Sequence, residues 1–226
     1  DGIVEWLKSR GLTKPAILTD TTAFGSGAKP VLEQGLTEGG LTPVLSDTFA
    51  VDAADLSAVL LKAKQSGADH VIAWTVGHPY ATLAKGAQQV GLGLPIIGTA
   101  SAADPAVARL AGDAADNLFF QDSVNREKPQ VKEVVERWSA HFGGTVPSDA
   151  LVAHDMLTVI TDGLRAVGPD RAKLRDFLET YRNDTLLTGR IDGVWQYTPQ
   201  NHVGLVGGNL VWKQYDKGTI KVVDGS

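Results

Sequence analysis

The chain has 226 residues, a formal net charge of −5 and a composition that is 43% hydrophobic, 21% charged and 7% aromatic, the balance of a globular protein of one large or two small domains rather than of a disordered or fibrous one. The acidic excess leaves no basic footprint for nucleic acid or anionic lipid, and the absence of cysteine excludes disulfides, thiol nucleophiles and thiolate metal sites while allowing an oxidising compartment. No apolar run approaches the roughly 20 residues needed to cross a bilayer. Nothing at the start reads as a signal peptide, and Met156 is the only methionine, so Asp1 is expected not to be a translation start and the chain to be a processed or truncated product.

From the first residue to about Asp122, helix-period segments alternate with short apolar runs. Ile3, Val4 and Leu7 form an apolar stripe before Gly11. Pro15 to Thr19 reads as a buried strand ending at Asp20, and further strands are expected near Pro43 to Ser46, His70 to Thr75, Pro95 to Gly98 and Asn117 to Phe120. Leu56, Val59, Leu60 and Ala63 share one helix face, as do Tyr80, Leu83, Ala84 and Ala87 in the next helix. Asp104-Pro105 supplies an N-cap with proline in the first turn. Such alternation forces parallel strands with right-handed crossovers and helices on both faces. From Pro129 to Tyr181 the pattern gives only three helices, carried by Val131, Val134, Val135 and Trp138, by Val152, Met156, Val159 and Ile160, and by Leu174, Phe177, Leu178 and Tyr181. These helices have no sheet of their own to cover. After Gly189 the period falls to two, and Leu210 to Tyr215 pairs with Thr219 to Val223 through the turn Asp216-Lys217-Gly218.

Catalytic and metal chemistry find little support. The five histidines, at 70, 78, 141, 154 and 202, have neither i, i+4 partners nor cysteines, so no zinc signature exists and surface or satisfied histidines are the better reading. Gly25-Ser26-Gly27 follows a strand with the wrong spacing for a nucleophile elbow and reads as a glycine-softened helix start. Gly91-Leu92-Gly93 precedes a strand and reads as a helix stop, not a dinucleotide loop. Asp113 and Asp116 read as a solvated face. What remains is the rule that open α/β sheets bind small molecules beyond the carboxyl ends of their strands. Those ends carry Thr22 and Phe24 after the first strand, Trp74, Val76, Gly77 and His78 after the third, and Ala100 and Ser101 after the fourth. A small, partly apolar ligand suits this mixture; ordinary loop residues and caps explain it equally well, and Thr22 in particular fits a helix cap.

Four segments, Asp20 to Gly27, Gly67 to Ile72, Gly91 to Gly98 and Leu110 to Asn117, together with Pro147 to Met156 and Thr188-Gly189, resemble in order and spacing the type 1 periplasmic binding proteins. The branch they look like is the leucine/isoleucine/valine-binding receptors of ABC importers. The resemblance implies a Venus-flytrap fold in which two α/β lobes close on a ligand. Residues 1–122 and 204–226 would form the second, parallel α/β lobe and residues 123–203 the mainly helical C-terminal part of the first, whose opening strands are missing. It follows as an expectation that the chain is a fragment, or that another polypeptide supplies those strands, and that its own affinity is weak.

Carried over by position, Phe24 falls where proteins that look like this place a tyrosine against the ligand, and Val76-Gly77-His78 where another contact comes. Ala100 falls where amino-acid receptors carry the acidic partner of the ligand's ammonium. A desolvated ammonium without a counter-charge costs several kcal/mol, so an aromatic or aliphatic carboxylate becomes a better guess than an α-amino acid. Asp149, near a cleft position, either restores a negative charge or caps its helix. The resemblance thus implies a non-catalytic receptor, periplasmic or lipid-anchored at the cell surface, without cofactor or metal. It would deliver a small amino acid or carboxylate to a membrane permease by an open-to-closed movement. A ligand-sensing domain of the same fold in a receptor or transcription-regulating system is the alternative, and an enzyme a distant third.

Overall fold

The computed structural model describes residues 2–144, 146–205 and 210–223. Asp1, and residues 206–209 and 224–226 of the segment assigned above to the second lobe, lie outside the described residues. In chain order the elements are α1 (Gly2–Ser9), β1 (Pro15–Asp20), α2 (Ala23–Glu38), β2 (Leu45–Phe49), α3 (Ser57–Gln65), β3 (His70–Trp74), α4 (Pro79–Gln89), β4 (Ile96–Gly98), α5 (Pro105–Ala111) and β5 (Leu118–Asp122). They continue with α6 (Pro129–Phe142), α7 (Ser148–Val167), α8 (Arg171–Leu178), β6 (Arg182–Asn183), β7 (Trp195–Gln196), β8 (Val211–Asp216) and β9 (Thr219–Val222). The chain divides into two compact units, Asp1–Asp122 with Trp212–Val223, and Ser123–Val211.

Every residue of β1 is buried, as a strand covered on both faces must be, which is why its sequence is a continuous apolar run instead of an alternation. The first unit is built on a seven-stranded sheet in the order β2-β1-β3-β4-β5-β8-β9. β1 pairs in parallel with β2 and β3, β3 with β4 and β4 with β5, while β8 and β9 form an antiparallel hairpin. Ala16, Leu18, Val71, Ala73 and Ile96 face one side, against Leu60, Leu83 and Val107 of α3, α4 and α5. Ile17, Ile72 and Ile97 face the other, against Leu7 of α1, Leu36 of α2 and Trp212 of β8. Trp212 stacks on Trp6, ring centroids 4.1 Å apart, which fastens the returning strand to the first helix. The fold is thus α/β with a mostly parallel sheet and helices on both faces, as the alternation requires.

The strand expected at Pro43 to Ser46 lies further on, at Leu45–Phe49. Proline has no amide to donate, and the pairing begins at Ala16 with Leu45. As the edge strand, β2 tolerates Ser46, Asp47 and Thr48 because much of it faces water. Asp104 caps α5 by accepting from the Ala106 amide at 2.8 Å, with Pro105 in the first turn, and α4 stops at Gln89, just before Gly91.

In the second unit α6, α7 and α8 pack through two small clusters. One joins Val124, Val131, Val146, Leu151 and Leu187; the other joins Val159, Tyr181, Leu186 and Trp195. Among the described residues, the strand pair of this unit is the two-residue ladder of β6 with β7. The face of α7 that is buried runs through Leu151, Asp155, Val159 and Gly163. Met156 and Ile160, expected on that face, are 40% and 41% exposed. Asp155 takes the inward position because its carboxylate accepts from the amides of Leu187 (2.9 Å) and Thr188 (2.7 Å) and from the Thr188 hydroxyl (2.7 Å).

Candidate functional site

The chain steps from β1 outward to β2 on one side and to β3 on the other. In open α/β sheets such a reversal, here between β1 and β3, is where neighbouring connections diverge to opposite faces and ligands bind beyond the carboxyl ends of the strands. The last residue of β1, Asp20, is buried. Its Oδ1 accepts from the Thr22 amide at 2.9 Å and from the Thr22 hydroxyl. Thr22 in turn caps α2, its hydroxyl oxygen receiving the Gly25 amide at 3.4 Å. Gly25 is dictated by this turn: a Cβ there would lie 2.5 Å from Asp20 Oδ1 and 2.7 Å from the Asp20 amide nitrogen, closer than any side chain permits.

Burial is the largest influence on the Asp20 carboxyl and pushes its pKa up, but the hydrogen bonds of Thr22, the Thr75 hydroxyl and the Thr22 and Gly25 amides together hold it below the usual carboxylate range. Thr75 Oγ1 and Asp20 Oδ2 are both buried without a hydrogen bond of ordinary geometry. The carboxylate is therefore ionised and turned inward, organising the loop.

The surface above this loop is aromatic. Phe24 is 46% exposed and stacks on half-buried Trp74, ring centroids 6.1 Å apart and planes 19° from parallel. Trp74 leans on the Ile17 and Ile72 side of the sheet, which fixes the shelf, and stacked rings add about 0.5–1.5 kcal/mol beyond their burial. Past Trp74 the chain emerges at exposed Val76, turns at Gly77 with φ +71° and reaches exposed His78, whose side chain makes no capping bond to α4.

At the tip of β4, buried Tyr80 donates to the Ala73 carbonyl (2.9 Å) and accepts from the Thr99 amide (2.7 Å). Burial pushes its phenol up to about 12. The Thr99 and Ser101 hydroxyls lie 2.8 Å from each other and 3.1 and 3.3 Å from the Thr75 carbonyl, so that one of them donates to that carbonyl and the other to its neighbour or to the same carbonyl. Ala100, beside them, is exposed. The structure thus brings Thr22, Phe24, Trp74, Val76, Gly77, His78, Ala100 and Ser101 to the carboxyl-terminal tips of one sheet. Within that set, Thr22 and Ser101 have their hydroxyls engaged in holding the loops, while Phe24, Trp74 and Val76 present apolar surface. The hydroxyls of Thr22, Thr99 and Ser101 bond to a carboxylate, to carbonyls or to each other, an arrangement that positions backbone rather than activating a nucleophile.

Asp149 belongs to the second unit. It is exposed in the first turn of α7, where Pro147 occupies the N-cap position and makes no side-chain capping bond. Asp116 corrects the expectation of a solvated face: its Oδ1 accepts from the Lys217 amide at 2.9 Å and its carbonyl from Gln214 at 2.9 Å, anchoring the terminal hairpin. Sequence reasoning placed Asp20 and Thr75 at the strand tips and Tyr80 on the core face of its helix, without giving any of them a part in building the site. The visible signal was a carboxylate closing a mostly apolar strand, two residues before a threonine. Among the described residues no group of three or more histidines and carboxylates could hold a metal ion, and no helix is long and apolar enough to cross a membrane. A cavity of about 160 Å³, lined by Leu92, Ile96, Asp113 and Asp116 among others, opens at the other ends of β4 and β5. It is well below the roughly 300–1,000 Å³ of ordinary small-molecule sites.

The family described as periplasmic binding protein matches residues 1–205. A Leu/Ile/Val-binding protein homolog of Brucella melitensis is 23% identical over 165 residues, covering 72% of this chain and 44% of the relative. The Leu/Ile/Val/Thr-binding protein of Salmonella typhimurium is 23% identical over 175 residues, covering 76% and 47%. The chain therefore spans under half the length of these curated relatives. Among solved structures, a putative branched-chain amino acid ABC transporter protein from Rhodospirillum rubrum superposes with a TM-score of 0.79 at 16% identity, covering 98% of this chain and 63% of the other. A leucine-binding protein from Thermotoga maritima gives 0.77 at 19% identity, with 98% and 62% covered.

Proposed function

The chain belongs to the periplasmic binding protein family, and on that footing we propose that it is a non-catalytic, extracytoplasmic solute receptor whose first unit holds one side of the ligand at the tips of β1, β3 and β4. The observation that carries this is the exposed Phe24–Trp74 shelf at the switch point of the sheet, where a parallel α/β layer leaves its crevice. In this reading residues 1–122 with the terminal hairpin form one lobe and residues 123–203 contribute to the other. Ligand binding shifts an open-to-closed equilibrium, and a membrane permease of an ABC importer recognises the closed form. The protein resides in the periplasm or on the cell surface.

The relatives are named for branched-chain amino acids, which supports an apolar side chain in the ligand. The charge at the tips favours a carboxylate over an α-amino acid. Thr22, Phe24, Trp74, Val76, Gly77, His78, Ala100 and Ser101 include no acidic residue, and the one carboxylate of the loop, Asp20, is buried and already hydrogen-bonded. An ammonium brought to this surface loses its water without gaining a counter-charge.

A matched pair of ligands tests both parts. Isocaproate has the carbon skeleton of L-leucine without its ammonium. The expected result is that isocaproate raises the melting temperature more than L-leucine does, and that Phe24→Ala removes the shift while lowering the unliganded melting temperature by only the few degrees that the lost ring stack is worth. Stabilisation by L-leucine alone overturns the carboxylate preference. Equal stabilisation of the Phe24→Ala variant, or chemical turnover of a bound compound, overturns the receptor site.

A further inference from the structure

The ladder between β3 and β4 stops short of the ends of both strands. Its register is Val71 with Ile96 and Ile72 with Ile97, so the next rung of the parallel pair would run from the Thr99 amide to the Ala73 carbonyl. A side chain occupies that rung instead. The Tyr80 hydroxyl accepts from the Thr99 amide at 2.7 Å and faces the Ala73 carbonyl at 2.9 Å, with the Thr99 hydroxyl 3.1 Å away. Its single proton goes to the nearer acceptor, the carbonyl. Both ends of the rung are thereby satisfied, as buried backbone groups must be, without meeting each other.

The sequence around Tyr80 is arranged for this insertion. Tyr80 is the second residue of α4, and a helical side chain leans toward the N-terminus of its helix, so the ring reaches back to the strand ends that the chain has just left. The ring is wholly buried. Gly98 makes room for it: a Cβ there would lie 2.7 Å from Cε1 and 3.0 Å from Cζ of Tyr80. Beyond the inserted oxygen the two strands part, and the Thr75 carbonyl faces the side-chain hydroxyls of Thr99 and Ser101. The amide and the carbonyl for a direct rung are both present, so the fold does not need the phenol to complete the ladder. What the phenol adds is separation of the strand tips.

We propose that Tyr80 is a positioning residue. By holding the tips of β3 and β4 apart it sets the gap between the loop of Trp74 to His78 and the loop of Thr99 to Ser101, and so the length of carboxylate that these tips admit. For its ligand the proposal rests on the receptor reading, whereas the inserted hydroxyl is tested without one.

The test is scalar coupling across hydrogen bonds, read by NMR in the unmodified protein and in Tyr80→Phe. The expected result is a coupling from the Thr99 amide nitrogen to the Ala73 carbonyl carbon that is absent from the unmodified protein and present in Tyr80→Phe, with the coupling from Val71 to Pro95 retained in both. The closed rung narrows the gap, so the variant also loses the preference for isocaproate over isovalerate, about fourfold for one buried CH2, expected of the unmodified protein. A folded Tyr80→Phe without the new coupling, or with it and with an undiminished preference for isocaproate, overturns the positioning role. Should Tyr80→Phe not fold, the unmodified protein decides: a Thr99-to-Ala73 coupling there overturns the insertion, and a slowly exchanging Tyr80 hydroxyl proton within nuclear Overhauser distance of the Thr99 amide supports it. Binding of neither carboxylate to the unmodified protein overturns the receptor reading and the size role with it, a failure told apart from that of the insertion by the coupling, which needs no ligand.

Discussion

Gly25 shows how one residue connects the core to the exposed aromatic shelf. The turn from β1 into α2 brings its Cα over the backbone and carboxylate of Asp20, and the same turn lifts Phe24 onto Trp74. Gly25→Ala is expected to lower stability by about 1–3 kcal/mol through overpacking against an immobile backbone, measured by chemical denaturation. His70 gives a second, independent handle. It is fully buried, and its Nδ1 lies 2.5 Å from Asp69 Oδ1. Burial pushes the Asp69 carboxyl up, but hydrogen bonds from the Thr13 amide, the His70 ring and the Lys14 amide together hold it below the usual range and ionised, so the proton of the neutral ring sits on Nδ1 and Nε2 is left bare and without a partner. Burial lowers the His70 pKa below 6.5, only partly offset by Asp69. The unfolded chain therefore takes up a proton as pH falls through 6.5 while the folded one does not, so this contribution is fully present above that pH and is lost below it. Stability should fall on acidification below pH 6.5, and His70→Gln should flatten that slope; an unaltered slope in the variant would assign it to other groups.

At the scale of elements, what the sequence made legible was decided by how each segment is covered. β1 and β3 are enclosed on both faces, so apolar runs located them to within a residue or so. β2 lies at the sheet edge with Ser46, Asp47 and Thr48 in it, so the apolar signal stopped at Ser46 and put the strand two residues too early. Helix α7 misleads for the opposite reason: Met156 and Ile160 look like core and are exposed, while Asp155 looks like surface and is buried. The only hint was its place four residues from both Leu151 and Val159. That buried carboxylate organises the 186–189 segment, with Trp195 Nε1 donating to Thr188 at 2.8 Å. Asp155→Asn places an amide where three donors converge and removes the counter-charge near Lys128. The expected cost is about 3–5 kcal/mol, read from urea unfolding followed by tryptophan fluorescence. The residues at the strand tips were legible as a group because the ligand rule for open sheets locates them without side-chain detail. Their division into loop-holding hydroxyls and an exposed aromatic shelf was not, since it depends on Asp20 and Thr75 lying on the same side of the sheet.

For the molecule as a whole, the proposed receptor reading puts the working surface at the carboxyl ends of the parallel strands, where an ionised but buried carboxylate lies beneath an uncharged shelf. The most direct measurement is an amide chemical-shift titration of the chain with isocaproate. The expected result is perturbation concentrated at residues 20–25, 74–78 and 99–101, and its loss in Phe24→Ala. Perturbation confined to residues 91–96 and 113–117 around the cavity at the other end of the sheet, or none at saturating isocaproate and L-leucine alike, would contradict a ligand surface at the strand tips.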